Sequence, residues 1–481
     1  MSDAHSGPRA IVLAAGLGTR MRSRRPKVLH PVCGRPMLAH VLDTAVAAGC
    51  ERPLVVISPA TQAVRAAFSG EAVDFAVQAE PIGTADALRA AMEALPDAVG
   101  EIVVLSGDVP LLRAETVERL AALRRAEGAA IAIAVTRVPV PDGYGRVVRD
   151  AAGHVARIVE EKDADEATRA IGEVNAALYA IDAAWVRDRV GQVRPSPATG
   201  ELYLTELVAM ARAEGRVVAA LDVPDDRELA GINDRMQLAA AEAELRRRIV
   251  ERHLLAGVTM IDPSSVLVDA AVEIAPDVIL EPNVILQGRT RIGTDTVIGS
   301  GSRIVDSVVG ERCRIWSSVV EASEVGDDVR LGPWAHLRPG ASVGAGAEVG
   351  NFAEIKSSRL GAGSKQHHFS YLGDATIGEH VNIGAGTITC NFDGVAKHRT
   401  SIGDEAFIGS DTMLVAPVSV GEGARTGAGS VVTHDVPAGM LAVGVPARLR
   451  HPRQRVPPGA GAPRDDAATE VPADTEDGAG G

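Results

Sequence analysis

The sequence predicts two folds in series, an alternating α/β domain followed by a parallel β-helix of hexapeptide repeats, joined by a long helix. Three observations predict it. Aliphatic residues return every sixth position through 274–445, strand and helix patterns alternate from residue 10 onward, and a purely helical stretch rich in Ala, Glu and Arg lies between them.

The hexads run Ile274, Leu280, Leu286, Ile292, Ile298, Ile304, then after a phase slip Val325, Leu331, Leu337, Val343, Val349, Ile355. Ile377 and Ile383 follow, then Ile402, Ile408, Leu414 and Val420. A period of six is neither the 3.6 of a helix nor the 2 of a lone strand. Each hexad makes one short strand and a turn, so three close a triangular coil with the aliphatic residues stacked inside. The glycine that often follows the aliphatic residue, as at Gly293, Gly299, Gly344 and Gly409, is expected to supply backbone freedom in a turn. Such a coil has flat faces and open backbone edges that need caps or neighbours. An oligomer is therefore expected, with threefold packing of prisms its simplest form.

In the first domain, strand candidates at 10–13, 54–57, 74–77 and 102–105 are separated by Ala-rich helices. One of these has Pro36 near its first turn and Gly49 just past its end. That alternation implies a mostly parallel sheet covered on both faces, with ligands at the carboxyl ends of its strands. The predicted division is a disordered leader at 1–8, the α/β domain at 9–228, a connecting helix at 229–257, the coil at 258–450 and a disordered tail at 451–481. The helix counts Met236, Leu245 and Ile249 among its apolar positions and stops at Gly257; the tail is Pro, Gly, Ala and acid, too poor in large apolar residues to fold.

With 481 residues the chain exceeds one ordinary core, and an aromatic content of 3% suits a coil filled by Val, Ile and Leu. The net charge of -14 argues against nucleic acid as a general partner. Cys33, Cys50, Cys313 and Cys390 lack metal-ligand or disulfide spacing and read as reduced thiols. The first residues carry no apolar core of a signal peptide and no run is long enough to cross a bilayer, so a cytoplasmic protein without a membrane partner is expected.

The first strand opens into Ala14-Ala15-Gly16-Leu17-Gly18-Thr19-Arg20-Met21, with Pro26-Lys27 close behind. Glycines there let backbone amides close around phosphates, and Arg20 and Lys27 add positive charge. Met21 stands where GxGxxG needs its third glycine, and no GxxxxGK[ST] occurs, so a nucleoside triphosphate suits the loop better than a dinucleotide. Gln78 to Ala85 can offer amide and hydroxyl groups to a base edge. The strand ending in Ser106-Gly107-Asp108 puts a carboxylate where Mg²⁺ would meet phosphate oxygens. Taken alone, an aspartate at this place is more often a helix cap or turn former; beside the glycine loop the balance reverses and Asp108 reads as a ligand.

In the coil, polar residues gather where the hexads break phase: His336 with Arg338, Glu354 with Lys356, then Lys365, Gln366, His367, His368, Ser370 and Tyr371, Asn382, and the insertion 391–397. Any one would be a solvated surface residue. Recurring at coil-scale intervals, they fall in one file. Acyl transfer from a thioester to an amine needs a base for the ammonium proton and donors for the carbonyl oxygen. Histidine titrates near neutrality, and His367 or His368 would serve.

The segments LAAGLGTRM, PKVLH, QAEPIGTA, GDVP, YGRV, IVEEKDA, EVNAALY, ELYLTE and GINDRMQL, followed by hexapeptides, resemble the GlmU family of bifunctional N-acetylglucosamine-1-phosphate uridylyltransferases and glucosamine-1-phosphate N-acetyltransferases. The likeness runs from about Arg9 to Pro446. It implies a Rossmann-like nucleotidyltransferase domain and a left-handed coil. In the head it implies that Leu13, Ala14, Ala15, Gly16, Arg20 and Lys27 meet UTP or UDP-sugar. Gln78, Gly83 and Thr84 would read uracil, Gly145, Glu160 and Asn175 would hold the sugar phosphate, and Asp108 with Asn233 would hold Mg²⁺.

In the coil it implies that His368 is the base. Arg338, Lys356, Tyr371, Asn382 and Lys397 would bind glucosamine 1-phosphate, while Ala385, Asn391, Phe392, Ser410, Ala428 and Arg448 would contact acetyl-CoA. Neighbouring copies of a homotrimer would complete that site. The product would be UDP-N-acetylglucosamine for cell-envelope polymers. Three departures are expected to tune affinity: Ser106 where the family usually has Tyr, Asp86 where it often has His, and Phe392 where it commonly has Tyr. A single-activity nucleotidyltransferase with a purely structural coil would not need the polar file. A regulatory scaffold would have lost Lys27 or Asp108.

Overall fold

In the computed structural model the described residues are 7–96 and 99–451; apart from Gly7, Pro8 and His451, the expected leader and tail lie outside them. The chain forms two compact units, Met1–Ser357 and Ser358–Gly481.

The first unit opens with an α/β sheet. Its strands are β1 (Arg9–Leu13), β2 (Leu54–Ile57), β3 (Asp74–Val77), β4 (Glu101–Ser106), β5 (Ile131–Arg137), β6 (Glu173–Asp182) and β7 (Val218–Asp222). Their order is β7-β5-β6-β4-β1-β2-β3, parallel except that β6 runs antiparallel to both β4 and β5. Side chains alternate along each strand, and both faces are buried, so one strand feeds two cores. Ala10, Val12, Val103 and Leu105 pack with Leu38, Val41 and Leu42 of α1 (Met37–Ala47) and Val117 and Leu120 of a later helix, Ala114–Glu127. Ile11, Ile102 and Val104 pack on the other side with Leu88 and Met92 of α2 (Thr84–Ala94). Pro36 precedes α1, and Gly49 takes φ +80° after it. Chain direction away from β1 reverses between β4 and β2, which opens a crevice at the carboxyl ends of these strands.

The connecting helix spans Arg235–Leu255, capped by Asp234, whose carboxylate accepts from Gln237 N at 2.9 Å. Ala241, Ile249, Val250 and His253 are buried, whereas Met236 is 81% exposed and Leu245 half-buried, so of the three expected apolar positions Ile249 alone is fully buried. The residues before Asp234 form a short 3-10 turn, Asp226–Leu229, and an extended link that leads Asn233 elsewhere. A hairpin, Pro31–Val32 and Arg35–Pro36, ties head, helix and coil together. Cys33 N donates to Glu242 Oε2 at 2.7 Å, and Ala270 N donates to Cys33 O at 2.9 Å.

The coil of the first unit is a three-sided stack of parallel two- to four-residue strands. Its phase slip has a simple structural form. Interior positions continue as Ile304, Val309, Ile315, Val320 and Val325, all at most 3% exposed, with three of the four steps shortened from six residues to five. Shortening trims a corner and leaves the interior register intact. In the second unit the interior file is Leu360, Gln366, Leu372, Ile377, Ile383, Thr389, Ile402 and onward, so two polar residues, Gln366 and Thr389, occupy aliphatic places. The long step from Thr389 to Ile402 carries the insertion. Each fully buried aliphatic side chain contributes roughly 1.5–3 kcal/mol.

Apart from Gly332, at φ +113°, the glycines after the aliphatic positions do a different job from the one expected. Gly293 lacks a positive φ, and a Cβ on it would stand 2.6 Å from the backbone of Gly310 in the next rung. Close stacking excludes the side chain there. The left-handed backbone falls instead at the third residue after the aliphatic, at Asp277, Asn283, Asp295 and Gly301. Among the described residues, no helix is long and apolar enough to cross a membrane.

Candidate active sites in the head and the coil

At the carboxyl ends of β1 and β4 lies a cavity of about 460 Å³. Among its lining residues are Leu13, Ala14, Ala15, Gly16, Lys27, Gln78, Gly83, Thr84, Asp108, Gly145, Glu160, Asn175 and Asn233, which is every head residue expected to meet a ligand except Arg20; of the two departures in the head, Ser106 lines the cavity and Asp86 does not. Arg20 is exposed on the short turn Thr19–Met21, where Met21 is the residue that turns inward to the core.

The glycine loop is shaped by close approach. Gly18 takes φ +63°, and a Cβ on it would stand 2.5 Å from Lys27 Cβ, so the loop folds onto Lys27. Lys27 Nζ is ion-paired with Asp108 Oδ2 and donates to Asn233 Oδ1 at 3.1 Å. Asn233 reaches this point because Ile232 N donates to Asp108 O at 3.0 Å. Ser106 Oγ donates to the other carboxylate oxygen, Asp108 Oδ1, at 2.6 Å. Asp108 and Asn233 thus aim two oxygens at one ammonium. A carboxylate and an amide oxygen converging on one cation are donors of the kind a hard divalent metal takes. Among the described residues no cluster of three or more His, Cys, Asp or Glu forms a closed metal site.

On the opposite wall, Gln78 Nε2 donates to Gly83 O at 3.0 Å and to Asp86 Oδ2 at 2.9 Å. Gly83 takes φ +139°, and any Cβ would run into the backbone of Leu202. The Thr84 hydroxyl accepts from Leu204 N at 2.9 Å. Further round, Glu160 accepts from Thr205 Oγ1 at 2.9 Å, and burial pushes its carboxyl above the usual range despite that bond. Asn175 Nδ2 donates to Tyr179 Oη at 2.6 Å, with the Tyr179 phenol pushed up by burial and the nearby Glu160. Between Asn175 and Tyr179 the ladder of β6 slips register, and Ala177 adopts φ +53°. The bulge turns Asn175, Ala176 and Ala177 into the wall. Tyr144, Tyr179 and Thr205 also line the cavity, and the sequence reading missed them as site residues. Their signal was present, since they lie in YGRV, EVNAALY and ELYLTE.

In the first unit's coil, His336 pairs with Glu354 and Leu337 with Ile355, which brings Arg338 and Lys356 into the same register on adjacent strands. Arg338 N donates to Ile355 O at 2.8 Å, and its guanidinium pairs with Glu354 at 2.7 Å.

In the second unit, His368 is exposed between the strands Lys365–Gln366 and Ser370–Gly373. Its main chain is pinned in two steps: Gln366 Nε2 donates to Ser370 Oγ at 2.8 Å, and Ser370 Oγ donates to His368 O at 2.9 Å. The Tyr371 ring lies over Gly373, where a Cβ would collide with its hydroxyl. Asn382 pairs with Phe407, and that register stacks Ala385 over Ser410. Asp411 N donates to Ala385 O at 2.6 Å and Gly429 N to Ser410 O at 2.8 Å, so Ala385, Ser410 and Ala428 file along one corner. The insertion closes on Asp393, which accepts from Ala396 N, Val395 N and His398, and these partners hold its carboxyl well below the usual range. Asn391 pairs with Asp374, while Phe392 and Lys397 form an isolated antiparallel bridge and are both exposed. Arg448 faces Val443 across the terminal hairpin, Leu441–Gly444 with Ala447–Arg450.

Residues 10–180 match the MobA-like NTP transferase domain, and 322–357 and 399–434 match the bacterial transferase hexapeptide family. Three curated relatives called bifunctional protein GlmU are similar along most of their length. Those from Heliobacterium modesticaldum, Pelobacter propionicus and Kineococcus radiotolerans are 49%, 47% and 46% identical, each over 90% of this chain and over 94%, 95% and 89% of their own.

The chain belongs to the GlmU family. Both halves of a GlmU protein are present, an NTP transferase domain and a hexapeptide transferase domain, and the protein is a bifunctional transferase.

Proposed function

We propose that the coil acetylates glucosamine 1-phosphate from acetyl-CoA and that the head joins the product to UTP, giving UDP-N-acetylglucosamine and pyrophosphate. The observation that carries the head's part is the convergence of a glycine loop, a Lys–Asp–Asn cluster and a Gln–Gly pair on one cavity. In this reading the loop amides at Leu13 to Gly16 and the Lys27 ammonium hold the triphosphate, Gln78, Gly83 and Thr84 hold uracil, and Gly145, Glu160 and Asn175 hold the sugar. Asp108 and Asn233 would hold Mg²⁺, which when bound neutralises phosphate oxygens. A phosphate oxygen of the sugar 1-phosphate then attacks the α-phosphorus in line; that P–O bond forms as the bond to the β-phosphate breaks, and pyrophosphate leaves. Positioning and charge neutralisation carry such a step.

At the coil, His368 takes a proton from the sugar's 2-ammonium, and the freed amine attacks the thioester carbonyl. The C–N bond forms, the C–S bond breaks, and the departing thiolate takes up a proton. Arg338, Lys356, Tyr371, Asn382 and Lys397 hold the sugar phosphate. The corner file Ala385, Ser410 and Ala428, with Asn391, Phe392 and Arg448, holds acetyl-CoA. The reading includes a homotrimer whose neighbouring coils complete this site.

The test is one incubation of purified protein with glucosamine 1-phosphate, acetyl-CoA, UTP and Mg²⁺, following thiol and pyrophosphate separately. His368→Ala is expected to stop thiol release while pyrophosphate still forms from added N-acetylglucosamine 1-phosphate; Asp108→Ala is expected to do the reverse. Wild-type thiol release by His368→Ala would sink the base assignment. Pyrophosphate without thiol from the wild type would leave a single-activity nucleotidyltransferase.

A further inference from the structure

Gln78 stands at the end of β3 in the cavity wall, and both protons of its amide are committed. Nε2 donates to Gly83 O at 3.0 Å and to Asp86 Oδ2 at 2.9 Å. Both partners can only accept. One is a peptide carbonyl, the other a carboxylate that is 4% exposed and ion-paired to Arg89 through Nη2, with Arg89 Nε at 3.2 Å. An amide flipped the other way would press Oε1 against two acceptor oxygens in a buried place, a cost with no compensating bond. The sense of the amide is therefore fixed by its partners. Gln78 Oε1 and the Gly83 N–H have no partner among the described residues, and both residues line the cavity.

We propose that Asp86 is a positioning residue that determines nucleobase specificity. By holding the Gln78 amide in one sense, it makes the wall present an acceptor at Gln78 beside a donor at Gly83. The N3–H and O4 of uracil complement that pair, whereas cytosine offers the opposite pair, an N3 acceptor beside an N4 donor. The assignment rests on the head being a uridylyltransferase. It adds that a residue outside the cavity lining sets the choice of base.

The experiment uses the full chain and calorimetric affinities with Mg²⁺ for UTP, CTP and N3-methyl-UTP, with pyrophosphate release measured alongside. The wild type is expected to bind UTP about 100-fold or more tighter than either analogue, because a site built to meet an N–H leaves buried groups unpaired when it is missing. Asp86→Asn keeps the shape of the side chain but can donate to Oε1, which turns one of the two acceptors opposing the flip into a donor that favours it. In it and in Asp86→Ala the UTP:CTP ratio is expected to fall about tenfold or more, while thiol release at the coil continues. A ratio within twofold of wild type in Asp86→Asn overturns the assignment, and so does wild-type binding of N3-methyl-UTP as tight as UTP, a result that needs no variant to fold. If UTP is preferred and the ratio falls in the variants but no pyrophosphate forms, the reaction assigned to the head fails and the role of Asp86 stands.

Discussion

Ser106 holds one oxygen of Asp108 at 2.6 Å while Lys27 holds the other, so both lone-pair directions of that carboxylate are set before any ligand arrives. Removing the hydroxyl frees the carboxylate to rotate. Ser106→Ala is expected to raise the half-saturating Mg²⁺ concentration for pyrophosphate release by roughly tenfold, the usual scale for an outer-shell partner, with thiol release unchanged; an unaltered Mg²⁺ titration would count against it. Glu160 gives a pH signature. Its folded carboxyl is raised above the ordinary 4.5 by burial, so the folded head binds that proton more tightly than the unfolded chain does. Its contribution to stability is whole below the ordinary value and is lost as pH rises through the raised one. Glu160→Gln is expected to raise the melting midpoint at pH 8 and leave it unchanged at pH 4, while lowering uridylyl transfer. At this scale the sequence was informative where a motif fixes a residue's place at a strand end, as with Gln78, Lys27 and Asp108. It was silent on Arg20's outward direction, which depends on how a three-residue turn is wound, and on the partner of Asp86, which the sequence marked only as a departure: Gln78 lies eight residues back and meets it only when β3 and α2 are packed.

Among the elements, the rung of the coil carries the clearest division of labour. Where a glycine follows an interior residue, as at Gly293, it is there because the next rung passes close, while the left-handed backbone falls two or three residues after the interior position, as at Gly288 and Gly301. Gly293→Ala puts a Cβ 2.6 Å from the Gly310 backbone and is expected to cost roughly 2–3 kcal/mol. Gly301→Ala meets nothing within 4 Å and bears only the strain of φ +73°, about 1 kcal/mol. Denaturant midpoints of the two variants measure the difference, and equal shifts would refute the distinction. The hexad period made the coil legible because one interior position recurs whatever the corners do. The five-residue steps were not legible, since trimming a corner destroys the period while preserving the stack. Nor were Gln366 and Thr389, polar residues in an aliphatic file. The first four α/β strands were found because runs such as 54–57 are apolar on both faces; β5, β6 and β7 were not picked out, and the antiparallel insertion of β6 could not be, because nothing in a single strand's composition records its direction.

For the whole molecule, the cavity is lined entirely by residues between Leu13 and Asn233, and none of the coil's candidate residues contributes to it. The head's chemistry therefore needs the coil only as a supplier of acetylated sugar phosphate, which is a small, soluble, diffusible compound. If that is how the two activities are joined, they complement each other in separate molecules. A mixture of Asp108→Ala and His368→Ala proteins, each inactive in the two-step conversion, is expected to form UDP-N-acetylglucosamine from glucosamine 1-phosphate, acetyl-CoA and UTP. The time course decides the point. Free diffusion predicts a lag that shortens as both proteins are raised together, and it predicts that added N-acetylglucosamine 1-phosphate, isotopically distinct from that made in place, dilutes the product in proportion to its concentration. A mixture that yields thiol and accumulates the acetylated intermediate without pyrophosphate would mean that the head accepts its substrate only by transfer within one assembly, and the two sites would then have to be treated as one device.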